Sequence, residues 1–175
     1  MKLPPGAKPG RSAGVLLYRW ADPDLDPAGP ALDVYLVHPG GPYFRNKDDG
    51  YWGIAKGLIE DGEDEETTAR REFTEETGFD PPAELMDLGT VTTYRGKVIH
   101  AFAGEWTDSA DPPAVVSNTC PVEWPPKSGK SIDIPEVDDG RFYSLETART
   151  KMNGCQAELL DRLVDRLEDG PAILR

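Results

Sequence analysis

The first ordered apolar pattern in the chain is at Ser12–Trp20 (SAGVLLYRW), where Val15, Leu16 and Leu17 make a short buried run and predict a strand. Residues 21–30 (ADPDLDPAGP) are dense in turn formers and predict a loop. Leu32–His38 (LDVYLVH) alternates as a second strand does, and Pro39-Gly40-Gly41-Pro42 stops it. A short strand is expected at Tyr51–Ala55. A helix is expected from about Asp64 to Thr77, with acidic residues in its first turn and Gly78 where a C-terminal cap belongs. Glu84–Trp106 reads as a hairpin turning at Arg95-Gly96-Lys97. Residues 107–135 are a long Pro-rich connection whose contents the pattern does not define. Arg141–Tyr143 is expected to close a sheet. Leu145–Lys151 and Gln156–Leu167 are expected to be helical, the latter with Leu159, Leu160, Leu163 and Leu167 on one stripe.

No repeat divides the chain, and 175 residues suit one domain. The expected organisation is a mobile Pro/Gly-rich arm over residues 1–11 and a single domain over 12–175. With 18 glycines and 17 prolines the chain is loop-rich, yet short of the composition that signals disorder. The net charge of −13 argues against nucleic acid or an anionic membrane as partner. There is no apolar run of about 18 residues, so no transmembrane helix is expected. The first residues carry basic groups without the apolar stretch of a secretory leader. Two cysteines, Cys120 and Cys155, make neither a disulfide framework nor a CxxC metal site, and a cytoplasmic location is expected.

The charge is unevenly spread. Glu60–Glu76 holds nine acidic residues and two arginines, so over half of the net charge lies in 17 residues. At about 100° per residue, with Glu72 at 0°, Glu75 falls near about −60° and Glu76 near about +40°. Three carboxylates therefore share one helix face. Ala69, Phe73 and Thr77 lie on a separate stripe that can enter a core. Clustered carboxylates raise one another's pKa, and a divalent cation removes that penalty. Oxygen ligands without Cys or His suit Mg²⁺, Mn²⁺ or Ca²⁺ rather than Zn²⁺. A solvated helix with dipole-favouring acids and an Arg71/Glu75 pair is the structural alternative for this stretch taken alone.

The longer pattern resembles the Nudix box, G-x5-E-x7-R-E-U-x-E-E-x-G-U with U a bulky apolar residue. Gly57, Glu63, Arg71, Glu72, Glu75, Glu76 and Gly78 fill its seven fixed places, and Phe73 and Phe79 its apolar ones. At roughly 6% usage per residue type, seven matches have odds on the order of 10⁻⁹ per start position. The resemblance implies an α/β fold, the Nudix α/β/α sandwich with a mixed central sheet. It also implies attack of water on a phosphorus of a nucleoside diphosphate linked to another group. It implies Mg²⁺ or Mn²⁺ held by Glu72, Glu75 and Glu76 with a backbone carbonyl at Lys56 or Gly57. Arg71 and Glu63 look like the pair that orients the carboxylates. In this family the general base is either a box glutamate or one from a later loop, for which Glu123 is the candidate.

The box leaves the substrate open. Lys56-Gly57 leads into it as in dinucleoside polyphosphate and diphosphoinositol polyphosphate hydrolases, with Ala55 in place of their usual proline. Tyr94 stands fifteen residues past Phe79, near where dinucleoside polyphosphate hydrolases carry a tyrosine. Residues 37–57, 117–130 and 134–152 resemble an uncharacterised bacterial group of predicted nucleotide pyrophosphohydrolases. In GPYFRNKDDG, Arg45 and Lys47 beside Tyr43 and Phe44 suit either a phosphate clamp or an exposed hairpin tip. Lys127 and Lys130 are further candidates to meet a polyphosphate, although PPKSGKS lacks the glycine of a P-loop. His38 and His100 are expected to be structural, and Cys155 to be a small buried residue opening the last helix. The expected substrate is a dinucleoside polyphosphate such as diadenosine tetraphosphate. The alternatives are a nucleoside triphosphate, a nucleoside-diphosphate sugar, or a Nudix-fold sensor that binds nucleotide without cleaving it.

Overall fold

The computed structural model describes residues 10–21 and 31–170. Most of the arm expected at 1–11, and residues 22–30 of the expected loop, lie outside that range. Among the described residues the elements are β1 (Arg11–Trp20), β2 (Leu32–Pro39), β3 (Ala55–Leu58), α1 (Glu65–Thr77), β4 (Met86–Thr92), β5 (Val98–Glu105), β6 (Thr119–Glu123), β7 (Ser131–Pro135), β8 (Val137–Ser144), α2 (Leu145–Lys151) and α3 (Glu158–Asp169). The main sheet runs β4-β5-β1-β2-β8, and β3 adds to β1 beside β2. Among the described strands β1 and β5 pair in parallel and the other pairs are antiparallel, so the sheet is mixed.

The period-2 geometry of the strands divides the core in two. On β1 and β2, Ala13, Val15, Leu17, Tyr35 and Val37 face α1 and pack with Ala69 and Phe73. Their neighbours Leu16, Tyr18, Val34 and Leu36 face the opposite layer, with Ala148 of α2 and Leu159, Leu160 and Leu163 of α3. A strand covered on both faces reads as a continuous apolar run, which is why VLL in β1 does not alternate. The sheet with helices on both sides is the expected α/β/α sandwich.

Three elements differ from their expected bounds. The strand near Tyr51 begins at Ala55 instead, because Ser12–Val15 of β1 pairs with Ala55–Leu58. Trp52 and Gly53 make only isolated bridges, to Met152 and Val37. The Pro-rich connection contains the β6–β7 hairpin, in which Pro121 pairs with Asp133. A two-stranded ribbon tolerates that proline because its outer edge needs no backbone donor. The last helix starts at Glu158, since Gln156 belongs to a turn closed by its N–H on the Asn153 carbonyl. Cys155 lies in that turn, half-buried, and both cysteines are free.

Among the described residues two buried side-chain groups are unpaired, the hydroxyls of Ser12 and Tyr35. Tyr35 is packed edge-on against Phe79 and Phe142, and its hydroxyl finds no partner among the described residues. Burial, followed by the nearby Asp139, pushes its pKa up to about 12. Tyr35→Phe keeps both ring contacts and removes the unsatisfied group. It is expected to stabilise by about 1 kcal/mol, raising Tm by about 2–4 °C in thermal unfolding. A fall in Tm would mean that the hydroxyl is satisfied in solution.

Candidate active site

The carboxylate face of α1 is placed by its caps and by the strand it packs on. Asp64 accepts from the Thr67 N–H at 2.8 Å, and Gly78 ends the helix at φ 86°. The connection after β5 runs past the far end, where Asn118 N–H donates to Glu75 O and Val116 N–H to Thr77 O. These bonds satisfy carbonyls that a helix C-terminus otherwise leaves open. Thus held, α1 buries Thr68, Ala69, Glu72, Phe73, Glu76 and Thr77, while Glu75 stays exposed. The three carboxylates share a face by angle, but the sheet covers only two of them.

Both buried carboxylates rest on β3. Glu76 accepts the Lys56 N–H at 2.9 Å, and its other oxygen takes no hydrogen bond from the described residues. Glu72 lies so close over Gly57 that a methyl group there would overlap its carboxylate. A glycine is required at that position by contact rather than by backbone conformation. Burial pushes the Glu76 pKa up to about 7, with Lys56 opposing and Glu136 and Glu72 adding to the rise. Glu72 is also raised by burial, against the pull of Arg71.

Arg71 ties the front of the site together. Its guanidinium grips Glu63 through two bonds of 2.9 Å and reaches Glu72 at 2.8 Å and Glu75 at 3.4 Å. It also donates to the Leu58 carbonyl at 3.2 Å. The planar fork is what permits this, and a lysine could not reproduce it. Arg71 holds Glu63 down to about 2, with Thr68 assisting. Arg71 is raised in turn by Glu63 despite some burial.

A cleft of about 460 Å³ opens beside these carboxylates. Its lining includes Glu76, Lys56 and Tyr94 from the sequence expectations, and brings in Glu136, Lys97 and Gln156 from elsewhere in the chain. Glu136 sits between β7 and β8, pinned by its N–H on the Asn118 carbonyl and its own carbonyl on the Gly40 N–H. Lys97, at the start of the β4–β5 return, has its pKa lowered by burial and then by Lys56, while Glu72 and Glu76 oppose. Tyr94 is 89% exposed at the hairpin tip. None of the three added residues has a sequence signal: Glu136 keeps no fixed spacing to α1, Lys97 reads as a turn, and Gln156 as a helix start.

Other candidates are placed elsewhere. Arg45 and Lys47 line a neighbouring hollow with His38, Asp138 and Arg141. The Lys47 ammonium stands 3.8 Å from the centre of the Tyr43 ring and 4.8 Å from that of Tyr51. Glu123 accepts the Gly129 N–H at 2.7 Å at the β6–β7 tip, which also carries Lys127 and Lys130. His38 bonds Asp138 and the Lys47 carbonyl, both at 2.7 Å. His100 bonds Asp87 at 2.8 Å and stacks on Phe102.

The donor chemistry fits a hard divalent cation. Glu72, Glu76 and Glu136 repel one another in a partly dry site, and all the donors are oxygens. Among the described residues no three acidic, His or Cys side chains already converge on a metal position. Oxygen donors of this kind suit a cation such as Mg²⁺, which completes its shell with water and substrate phosphate. No helix among the described residues is long and apolar enough to cross a membrane.

Comparison with known proteins adds the following. The family model described as NUDIX domain matches residues 25–163. No curated protein matches. Among solved structures, a C. elegans Ap4A hydrolase binary complex is similar at 18% identity and a TM-score of 0.61, over 90% of this chain and 98% of that one. The NUDIX domain of Shewanella oneidensis NrtR complexed with ADP ribose is similar at 20% identity and 0.61, over 92% and 89%. A Nudix hydrolase of M. smegmatis, RenU, is similar at 20% and 0.55, over 97% and 92%. At these identities the likeness is one of fold.

Proposed function

This chain belongs to the NUDIX domain family and is a hydrolase of phosphoric anhydrides; from that premise we propose that its substrate is a dinucleoside polyphosphate such as diadenosine tetraphosphate, cleaved with Mg²⁺ or Mn²⁺ bound. The observation that carries the reading is the composition of one cleft. Carboxylates and the lysines Lys56 and Lys97 line it together, with Phe44, Tyr51, Trp52 and Tyr94 as its aromatic members. In a protein of net charge −13, two lysines in a carboxylate-lined cleft suit a chain of phosphates longer than the cation alone neutralises. The aromatic rings suit nucleobases. The likeness to an Ap4A hydrolase is consistent with this substrate.

In this proposal Glu72, Glu75, Glu76 and the Gly57 carbonyl hold the cation. Bound there, it would neutralise phosphate charge and make a water more acidic. Arg71 and Glu63 act as positioning residues, keeping Glu72 directed at the site. Glu136 takes the proton of the attacking water as its oxygen bonds to phosphorus and the bridging P–O bond breaks. The released phosphate carries the bonding electrons and is held by Lys56 and Lys97. Free cysteines and a soluble nucleotide substrate suit a cytoplasmic setting.

The test is product analysis by chromatography after incubation with Mg²⁺ and diadenosine tetraphosphate, ADP-ribose, ATP or deoxynucleoside triphosphates. The expected result is preferential cleavage of diadenosine tetraphosphate, with the product pair reporting which bond breaks. Preference for ADP-ribose would move the reading to nucleoside-diphosphate sugars, for which the likeness to an ADP-ribose-bound NUDIX domain is the present support. Binding without cleavage would make the protein a sensor.

A further inference from the structure

We propose that Gln156 is the residue that reads the nucleobase, donating from its amide nitrogen to an acceptor on the base edge; this rests on the substrate being a nucleotide. Gln156 is 7% exposed, yet it lines the cleft. Its Oε1 accepts the Ile54 N–H at 3.0 Å. A backbone N–H can be satisfied only by the amide oxygen, so the orientation of the amide is determined and Nε2 faces away from that bond. Among the described residues Nε2 donates to no protein group, and unlike the Tyr35 hydroxyl it is not fully buried, on a residue that lines the cleft. Two N–H donors are thus held ready at the cleft wall.

The surroundings keep them there. The Gln156 N–H donates to the Asn153 carbonyl at 2.8 Å, and Asn153 N–H to the Trp52 carbonyl at 2.8 Å. The Asn153 side chain accepts the Cys155 N–H at 3.0 Å, which stiffens the turn. Gly53 lets the amide approach, since a side-chain carbon there would lie 2.8 Å from Oε1 and 3.0 Å from Nε2. Trp52 and Ile54 supply buried apolar neighbours. Tyr94 reaches across, so that a side-chain carbon on Gly154 would lie 3.2 Å from its hydroxyl.

A flat, acceptor-bearing ring fits between such groups. A ring nitrogen or carbonyl of the base meets the donors of Gln156, whereas an exocyclic amine turned there would set donor against donor. Ile54 and Lys56 stand about 7 Å apart on an extended chain, leaving room for a sugar between a base at Gln156 and a phosphate at Lys56.

The test compares wild type with Gln156→Glu, which keeps an oxygen for Ile54 N–H but replaces the donors with an acceptor. Gly53→Ala, which pushes the amide aside by contact, is the second variant. For diadenosine tetraphosphate, both are expected to raise KM by about 10-fold to 100-fold with kcat changed little. Inhibition by inorganic tetrapolyphosphate, which has no base, is expected to stay within about twofold of wild type. An unchanged KM in both variants, or an equal loss of tetrapolyphosphate inhibition, would overturn the assignment. If wild type leaves diadenosine tetraphosphate uncleaved, it is the functional reading that fails. Adenosine binding by calorimetry then decides the base contact: loss in Gln156→Glu supports it, and unaltered binding overturns it.

Discussion

Glu76→Gln is expected to lower kcat/KM by about 10³-fold while leaving the protein folded. The amide keeps the shape of the side chain and an oxygen for the Lys56 N–H. What it removes is the charge that burial already penalises in the metal-free protein. The substitution should therefore not lower the Tm measured in chelator. Adding Mg²⁺ is expected to raise the wild-type Tm, because a ligand that binds only the folded state stabilises it. That rise should be blunted in the variant. The catalytic loss follows from the several kcal/mol of transition-state charge stabilisation that a bound cation supplies, at about 1.4 kcal/mol per factor of ten. An equal Mg²⁺-induced rise in Tm in both proteins would remove Glu76 from the cation site.

The second large effect separates two glutamates that the chain offers as general base. Glu136→Gln is expected to lower kcat by about 10²-fold to 10⁴-fold with a smaller change in KM, the range for loss of a positioned base. Glu123→Gln is expected to leave kcat within about threefold of wild type, since Glu123 is engaged by the Gly129 N–H at a hairpin tip. Glu136 instead shares the cleft with Glu76 and acts electrostatically on both Glu72 and Glu76. Steady-state rates on one substrate at saturating Mg²⁺ decide the matter. A large loss in Glu123→Gln with none in Glu136→Gln would reverse the assignment.

Much of the fold is legible along the chain because its signals are local. The caps of α1, Asp64 and Gly78, are individual residues with definite conformational roles. The hairpin at Arg95-Gly96-Lys97 follows from a glycine that takes φ 79° between two strands. The β6–β7 hairpin has no such signal, because Pro121 within a strand reads as a breaker until the strand is known to be an edge. Arg45 and Lys47 show the limit for site residues. Their composition beside two aromatics is compatible with a phosphate clamp; in the fold they line a hollow next to the cleft, with the Lys47 ammonium over the Tyr43 and Tyr51 rings, while Phe44 and Tyr51 belong to the cleft.

The acidic helix and its lead-in from β3 lie in one stretch of 23 residues, Gly57–Phe79. Helical spacing alone places Glu72, Glu75 and Glu76 on a common face, and so indicates a hard divalent cation; the class of reaction comes from the resemblance of the whole stretch to the Nudix box. It does not say which of the three is covered, since that depends on how α1 lies over β1 and β3. Nor does it say what else enters the cleft. Glu136 arrives through the pairing of β2 with β8, Lys97 through that of β4 with β5, and Gln156 through a hydrogen bond spanning 102 residues. Chemistry carried by one helix follows the backbone period and can be read in one dimension. Glu136, the second lysine and the Gln156 amide depend on strand registers set by burying both faces of the sheet at once, which no local stretch encodes.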